Sequence, residues 1–244
     1  MLEYDGQNYV EIAKDRPWYY RVVKETVMGS ILFGQKQKTG GSDPFEEAIF
    51  EMVWENSAYE PVQRILPPNR ANLMGFAFGD VLNDGRELPV TFNQADHIRI
   101  LSPGGKEIWK GAKQYGGSSL YFEKPKADIE DTSNPHFFPM RLYVNDIDGD
   151  GKNEVITVNN HDEAGRHLER FRKYTNFQIV SISWDGLGLS GNWKTREHSG
   201  HVRDFVFGDF DNDGRDELVA TVILKGGAVV GTNPRSSLIA YELK

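Results

Sequence analysis

Apolar and polar residues alternate along this chain in short stretches, and the alternation has the period of a β-strand. Phe76-Ala77-Phe78-Gly79-Asp80, Leu142-Tyr143-Val144-Asn145-Asp146 and Phe205-Val206-Phe207-Gly208-Asp209 each run into an acidic stretch. Beyond it lies a second strand-like run, nearly continuous in apolar residues, as in Val155-Ile156-Thr157-Val158 and Leu218-Val219-Ala220-Thr221-Val222. Short runs of this kind, bounded by turn residues about every 8–12 positions, predict an all-β sandwich, barrel or propeller.

Internal repetition separates these options. The aspartates that open the acidic stretches, Asp80, Asp146 and Asp209, stand 66 and then 63 residues apart. A second repeated element is a strand ending in an aromatic or apolar residue and a turn. It occurs at Leu2–Gly6, Met52–Asn56, Ile100–Gly104 and Ile182–Gly186. The first unit has a matching strand at Ser30–Gly34 but no acidic stretch before it. Four units of about four strands each form the blade pattern of a β-propeller. Ser237–Leu243 reads as the opening strand of a further unit. Such a strand either completes the unit begun at Leu2 and closes a four-bladed ring, or belongs to the C-terminal blades of a larger propeller. Residues 1–244 are read as one propeller domain. The opening Met1–Gly6 resembles the end of a strand entering a turn, so the natural chain is expected to begin earlier.

Two insertions interrupt the spacing. Residues 111–138, rich in glycine, proline and acids, predict a long loop. Residues 162–174 predict a short helix, with Asp162 as its cap and Ala164, Leu168 and Phe171 on one face. Its outer face carries Arg166, Arg170, Arg172 and Lys173, an ordinary solvated surface or a basic contact patch.

Composition narrows the function classes. The chain has 244 residues, 39% of them hydrophobic and 26% charged, as expected of a soluble globular protein. Its net charge of −8 argues against nucleic acid as the main partner. No apolar run reaches the roughly 18–20 residues of a membrane-spanning helix. There are no cysteines, which excludes disulfides, thiolate metal sites and a cysteine nucleophile.

An acidic protein suits cation binding, and here the sequence is specific. Asp146-Ile147-Asp148-Gly149-Asp150-Gly151-Lys152-Asn153-Glu154 and Asp209-Phe210-Asp211-Asn212-Asp213-Gly214-Arg215-Asp216-Glu217 share carboxylates at positions 1, 3, 5 and 9. Glycine at position 6 permits the positive φ of a tight turn. The backbone carbonyl of Lys152 or Arg215 would face the same centre. Four carboxylates, a carbonyl and water give six or more hard oxygens, which suits Ca²⁺. An EF-hand would need a glutamate at position 12 and flanking helices. That position holds Thr157 or Ala220, within β-favouring runs. Acidic turns without an ion are common, but two nine-residue matches at blade spacing favour metal. The third copy, Asp80–Leu88, has leucine at positions 3 and 9 and predicts a turn of the same shape with weak or no metal binding.

These repeats resemble the FG-GAP/VCBS family, which includes the propellers of integrin α-subunits and many bacterial surface or periplasmic proteins. Phe78-Gly79 and Phe207-Gly208 echo the family name, while its Gly-Ala-Pro portion is absent. The resemblance implies calcium in the two full loops and a non-catalytic propeller used for binding, commonly outside the cytoplasm: periplasmic, cell-surface or secreted.

No GxSxG elbow, HExxH, phosphate loop or dinucleotide fingerprint is present. His198-Ser199-Gly200-His201 could place two imidazoles near one metal, or be an inter-blade loop. Three functions follow in order of preference: a protein-interaction or structural module, a carbohydrate-binding propeller, and a polysaccharide lyase or glycosidase. Stacking faces for a glycan would come from Trp18, Tyr19, Tyr20, Trp109, Tyr115, Trp184 and Trp193, although blade-core packing also accounts for aromatics.

Overall fold

The computed structural model describes residues 1–26, 29–38, 44–45, 47–122, 135–162, 172–224 and 235–243. It is a four-bladed β-propeller built from antiparallel sheets. An N-terminal hairpin, β1 (Leu2–Tyr4) and β2 (Tyr9–Glu11), forms its own two-stranded sheet. The first blade comprises β3 (Trp18–Thr26), β4 (Gly29–Lys36), β5 (Ile49–Glu55) and β6 (Ala58–Leu66), paired in chain order. A 3₁₀ turn at Leu73–Gly75 leads into the second, made of β7 (Phe76–Gly79), β8 (Leu88–Phe92), β9 (His97–Leu101) and β10 (Glu107–Gln114).

A short ribbon, β11 (Tyr121–Phe122) with β12 (His136–Phe137), precedes the third blade. That blade holds β13 (Tyr143–Asn145), β14 (Glu154–Asp162), β15 (Tyr174–Trp184) and β16 (Leu189–Lys194), with β17 (His198–Ser199) also on β15. The fourth contains β18 (His201–Gly208), β19 (Glu217–Leu224) and β20 (Arg235–Glu242). Strands β3, β7, β13 and β18 open the blades, and β7 packs against both β3 and β13.

The pattern of burial explains the sequence pattern. All five residues of β8 are buried, as are the first five of β14, because these strands have apolar neighbours on both sheet faces. The edge strand β20 instead alternates between exposed and half-buried positions. One apolar cluster joins the last three blades through Val90, Val155, Phe177, Phe205 and Leu218. A second links the first blade to the second through Phe33, Leu66, Phe76 and Leu101. Rings mesh edge-on at these junctions, Phe33 with Phe76 at 5.5 Å and Tyr143 with Phe207 at 4.9 Å.

Buried amides fasten the blades in addition. Gln35, fully buried, donates to the carbonyls of Phe45, Glu47 and Ala71 and accepts from the Leu73 amide ahead of β7. Asn160, also fully buried, donates to the Val202 carbonyl and accepts from the Val202 amide, tying the third blade to the fourth. Entry into β18 needs a glycine: Gly200 has φ +106°, and a Cβ there would lie 2.3 Å from the Ile223 carbonyl oxygen.

Two expectations are revised, and a third lies largely outside the described residues. Strand β20 pairs with β19 along its length as the third strand of the fourth blade; it does not open a further unit, and among the described residues it does not pair with β1. Residues 111–138 are not a loop throughout, since 111–114 belong to β10 and the β11–β12 ribbon follows; 123–134 lie outside the described residues. The helix expected over 162–174 falls largely on 163–171, also outside them. Asp162 ends β14 and Tyr174 begins β15.

Candidate metal centre

The acidic loops join the first two strands of their blades in one common register. Asn145 pairs with Glu154, Gly208 with Glu217 and Gly79 with Leu88. The ninth loop position therefore always begins the second strand, beneath the loop. Glu154 and Glu217 are buried there, at 1% and 5% exposure, and Leu88 occupies the equivalent place at 4%.

The first aspartate shapes each turn by accepting hydrogen bonds from the loop backbone. Asp146 accepts from the amides of Gly149 (2.8 Å) and Gly151 (2.9 Å). Asp209 accepts from Asp213 (2.9 Å) and Gly214 (3.1 Å), and Asp80 from Asp84 (3.0 Å) and Gly85 (2.8 Å). The position-6 glycines Gly85, Gly151 and Gly214 have φ of +85°, +86° and +87°. Position 4 is also left-handed, at Asn83 (+55°), Gly149 (+73°) and Asn212 (+64°). Sequence reasoning missed this second requirement, although Asn and Gly are the residues that tolerate that conformation.

In the two full loops these turns bring three carboxylates together. Ligand oxygens of Asp146, Asp148 and Glu154 lie within 4.8 Å of one another, as do those of Asp209, Asp211 and Glu217. Glu154 accepts from the Ile147 amide at 3.1 Å and Glu217 from the Phe210 amide at 2.8 Å. Burial pushes the Glu154 carboxyl above its usual range, and Asp148, Asp146 and Asp150 add to this against the hydrogen bond from Ile147. Two all-oxygen, carboxylate-rich groups with a buried glutamate at the base fit a hard divalent cation.

Asp150 and Asp213 are not within these groups. Asp150 accepts from the Lys152 amide at 2.8 Å and Asp213 from the Arg215 amide at 2.9 Å. This holds the seventh residue at the loop, the residue whose carbonyl was expected to contribute. In the third loop Asp84 is paired with the Arg86 guanidinium.

The third loop has another role in the fold. Asn83 and Asn153 clip it to the first full loop: the Asn153 amide donates to Asn83 Oδ1 at 2.6 Å, and Asn83 Nδ2 donates to the Asn153 carbonyl at 3.2 Å. Asn153 Nδ2 also donates to the Asp80 carbonyl at 3.1 Å. The leucine-bearing turn thus braces its acidic neighbour.

The histidines of the His198–His201 segment have different partners. His198 stacks on Phe177 and bonds Tyr241 Oη at 2.8 Å, whereas His201 bonds Ser119 Oγ at 3.2 Å. Arg172, one of the expected basic patch, sits over the Phe137 ring at 4.0 Å and donates to the Ser118 carbonyl. The candidate stacking aromatics are largely engaged with other rings. Trp18 packs on Phe50, Tyr19 on Phe45, Tyr20 on Tyr59 and Trp109 on Trp184. No protein-family model matches the chain, and no curated protein matches it.

Proposed function

We propose that the chain is a non-catalytic β-propeller of the FG-GAP/VCBS type, stabilised by two calcium ions and used as a protein-interaction or structural module outside the cytoplasm. The observation that carries the metal reading is the burial of Glu154 and Glu217 against two aspartates each, with ligand oxygens within 4.8 Å of one another. Carboxylates at that spacing repel unless a cation lies among them. Asp146, Asp148 and Glu154 would hold one ion, joined by Asp150 and the Lys152 carbonyl. Asp209, Asp211 and Glu217 would hold the other, joined by Asp213 and the Arg215 carbonyl.

Calcium is favoured over magnesium because the loop offers several carboxylates and a carbonyl around one point, which suits six to eight oxygen ligands, whereas magnesium demands a near-ideal octahedron. Except for Asp146 and the buried glutamates, the acidic ligands of both loops are solvent-exposed. Such open sites belong with the extracellular calcium modules, whose dissociation constants are about 10⁻⁴–10⁻³ M, and would fill poorly in resting cytosol. This and the family resemblance support a periplasmic, cell-surface or secreted setting. Each ion would tie the first strand of its blade to the second and so stiffen one rim of the propeller for a partner protein.

The test is thermal unfolding in millimolar calcium, in magnesium and in chelator, with metal analysis of the purified protein. A midpoint raised by calcium and not by magnesium is expected. Equal midpoints, together with metal-free protein, would remove the calcium reading.

A further inference from the structure

Away from the acidic loops lies a cavity of about 240 Å³, lined by residues of β3 and β18 and of the segments that lead into β7 and β13. Arg21 comes from β3, Met74 from the turn ahead of β7, Arg141 from just before β13, and Arg203 and Asp204 from β18. Three guanidinium groups thus share the cavity with one carboxylate, and that carboxylate is already engaged. Asp204 binds Arg141 in a two-point ion pair, at 2.9 Å to Nε and 2.7 Å to Nη2.

Arg21 is the unusual member. It is 9% exposed, and its Nη1 donates to the carbonyls of Leu73, Met74 and Phe76 at 2.9, 2.6 and 3.0 Å. These bonds fix the guanidinium, while Asp204, the carboxylate nearest in the cavity lining, is paired with Arg141 and offsets the Arg21 charge only in part. The Arg21 Nε is buried without a hydrogen-bond partner, and Arg21 forms no ion pair among the described residues. Burial, followed by the nearby Arg141, pulls its pKa down to about 10 against the opposing effect of Tyr143 and Asp204, so it remains a cation at neutral pH. A buried charge that is only partly compensated is costly, and an anion beside it would relieve that cost.

The walls define the rest of the occupant. Met74, Phe138 and Met140 give the cavity an apolar side facing its arginines. The volume lies below the roughly 300–1,000 Å³ of sites for drug-sized ligands, so the occupant is small. Guanidinium groups match carboxylates in a planar, two-point geometry. We propose that this cavity is a binding site for a small monocarboxylate with an apolar body, its anionic head between Arg21 and Arg203, beside the Arg141–Asp204 pair. The site is independent of the metal loops, since about five strand residues, roughly 15 Å, separate Arg141 from Asp146 and Asp204 from Asp209.

The test is calorimetric titration of the calcium-loaded full chain with benzoate and with hexanoate, using benzyl alcohol and inorganic phosphate as comparisons. Saturable binding of at least one acid is expected, with benzyl alcohol at least tenfold weaker. Arg203→Gln, at a half-exposed position and therefore compatible with folding, should weaken the acid at least tenfold; Arg21→Met should do so more strongly if it folds. No saturable binding of either acid, or affinity unchanged in Arg203→Gln, overturns the site. Phosphate binding more tightly than both acids overturns the carboxylate assignment. These titrations are read at constant calcium, so their failure is distinct from a failure of the metal loops.

Discussion

Glu154→Gln separates the two roles of a buried loop carboxylate. In wild-type protein Glu154 sits at 1% exposure beside Asp146 and Asp148. On the proposed calcium reading, its charge would help hold the ion. Without calcium, the charge is buried and repelled by its neighbours, which is why the carboxyl is pushed above its usual range. Glutamine keeps the shape and an oxygen for the Ile147 amide but carries no charge. At calcium about 100 times the dissociation constant, each filled loop would contribute about 2.7 kcal/mol. In a domain of this size each kcal/mol moves the midpoint by about 2–4 °C, so one loop accounts for about 5–11 °C. The loops lie on different blades, and their contributions should add. Calcium should therefore raise the Glu154→Gln midpoint by only about half as much as wild type. In chelator at neutral pH the variant should unfold at or above the wild-type temperature. Scanning calorimetry of both proteins in both buffers gives the four midpoints needed. An undiminished calcium shift in the variant, or the same loss of stability in chelator as in calcium, would refute the reasoning.

Two further predictions concern the scaffold. Gln35→Leu leaves the buried Leu73 amide and several carbonyls without their partner; it should cost about 3 kcal/mol in denaturant unfolding, and an unchanged midpoint would show that the amide does not couple the first two blades. His201 is held below the ordinary histidine value of 6.5, first by burial and then by Arg203. The unfolded chain thus binds more protons in the window below 6.5, so stability is retained above 6.5 and lost as pH falls towards the folded value. Melting curves across that window should flatten in His201→Gln, and curves that superimpose on wild type would count against the assignment.

The loops were legible from sequence because everything that shapes them is local. The backbone bonds from Asp146 and Asp209 reach no further than five residues along the chain, so spacing specified the turn and its shared register. Leucine at the ninth position likewise marked the third copy as different, and Leu88 occupies the place of the buried glutamates. Alternation and the repeat interval were enough to read four blades, since a strand's two faces are set by its own residues. The partner of β20 was not legible, because a run of alternating residues does not say which strand it will join. The same limit hid the clip between Asn83 and Asn153, the amides of Gln35 and Asn160, and the cavity that gathers Arg21, Arg141, Arg203 and Asp204. Each of these depends on residues far apart in sequence, which only the packing of blade on blade brings within a hydrogen bond or an ion pair of one another. By itself the sequence determined the all-β repeat and its acidic turns, whose physics is short-ranged. Only the tertiary structure decided which polar groups are buried between blades and which charges share the cavity, because burial and long-range proximity exist only once the ring has formed.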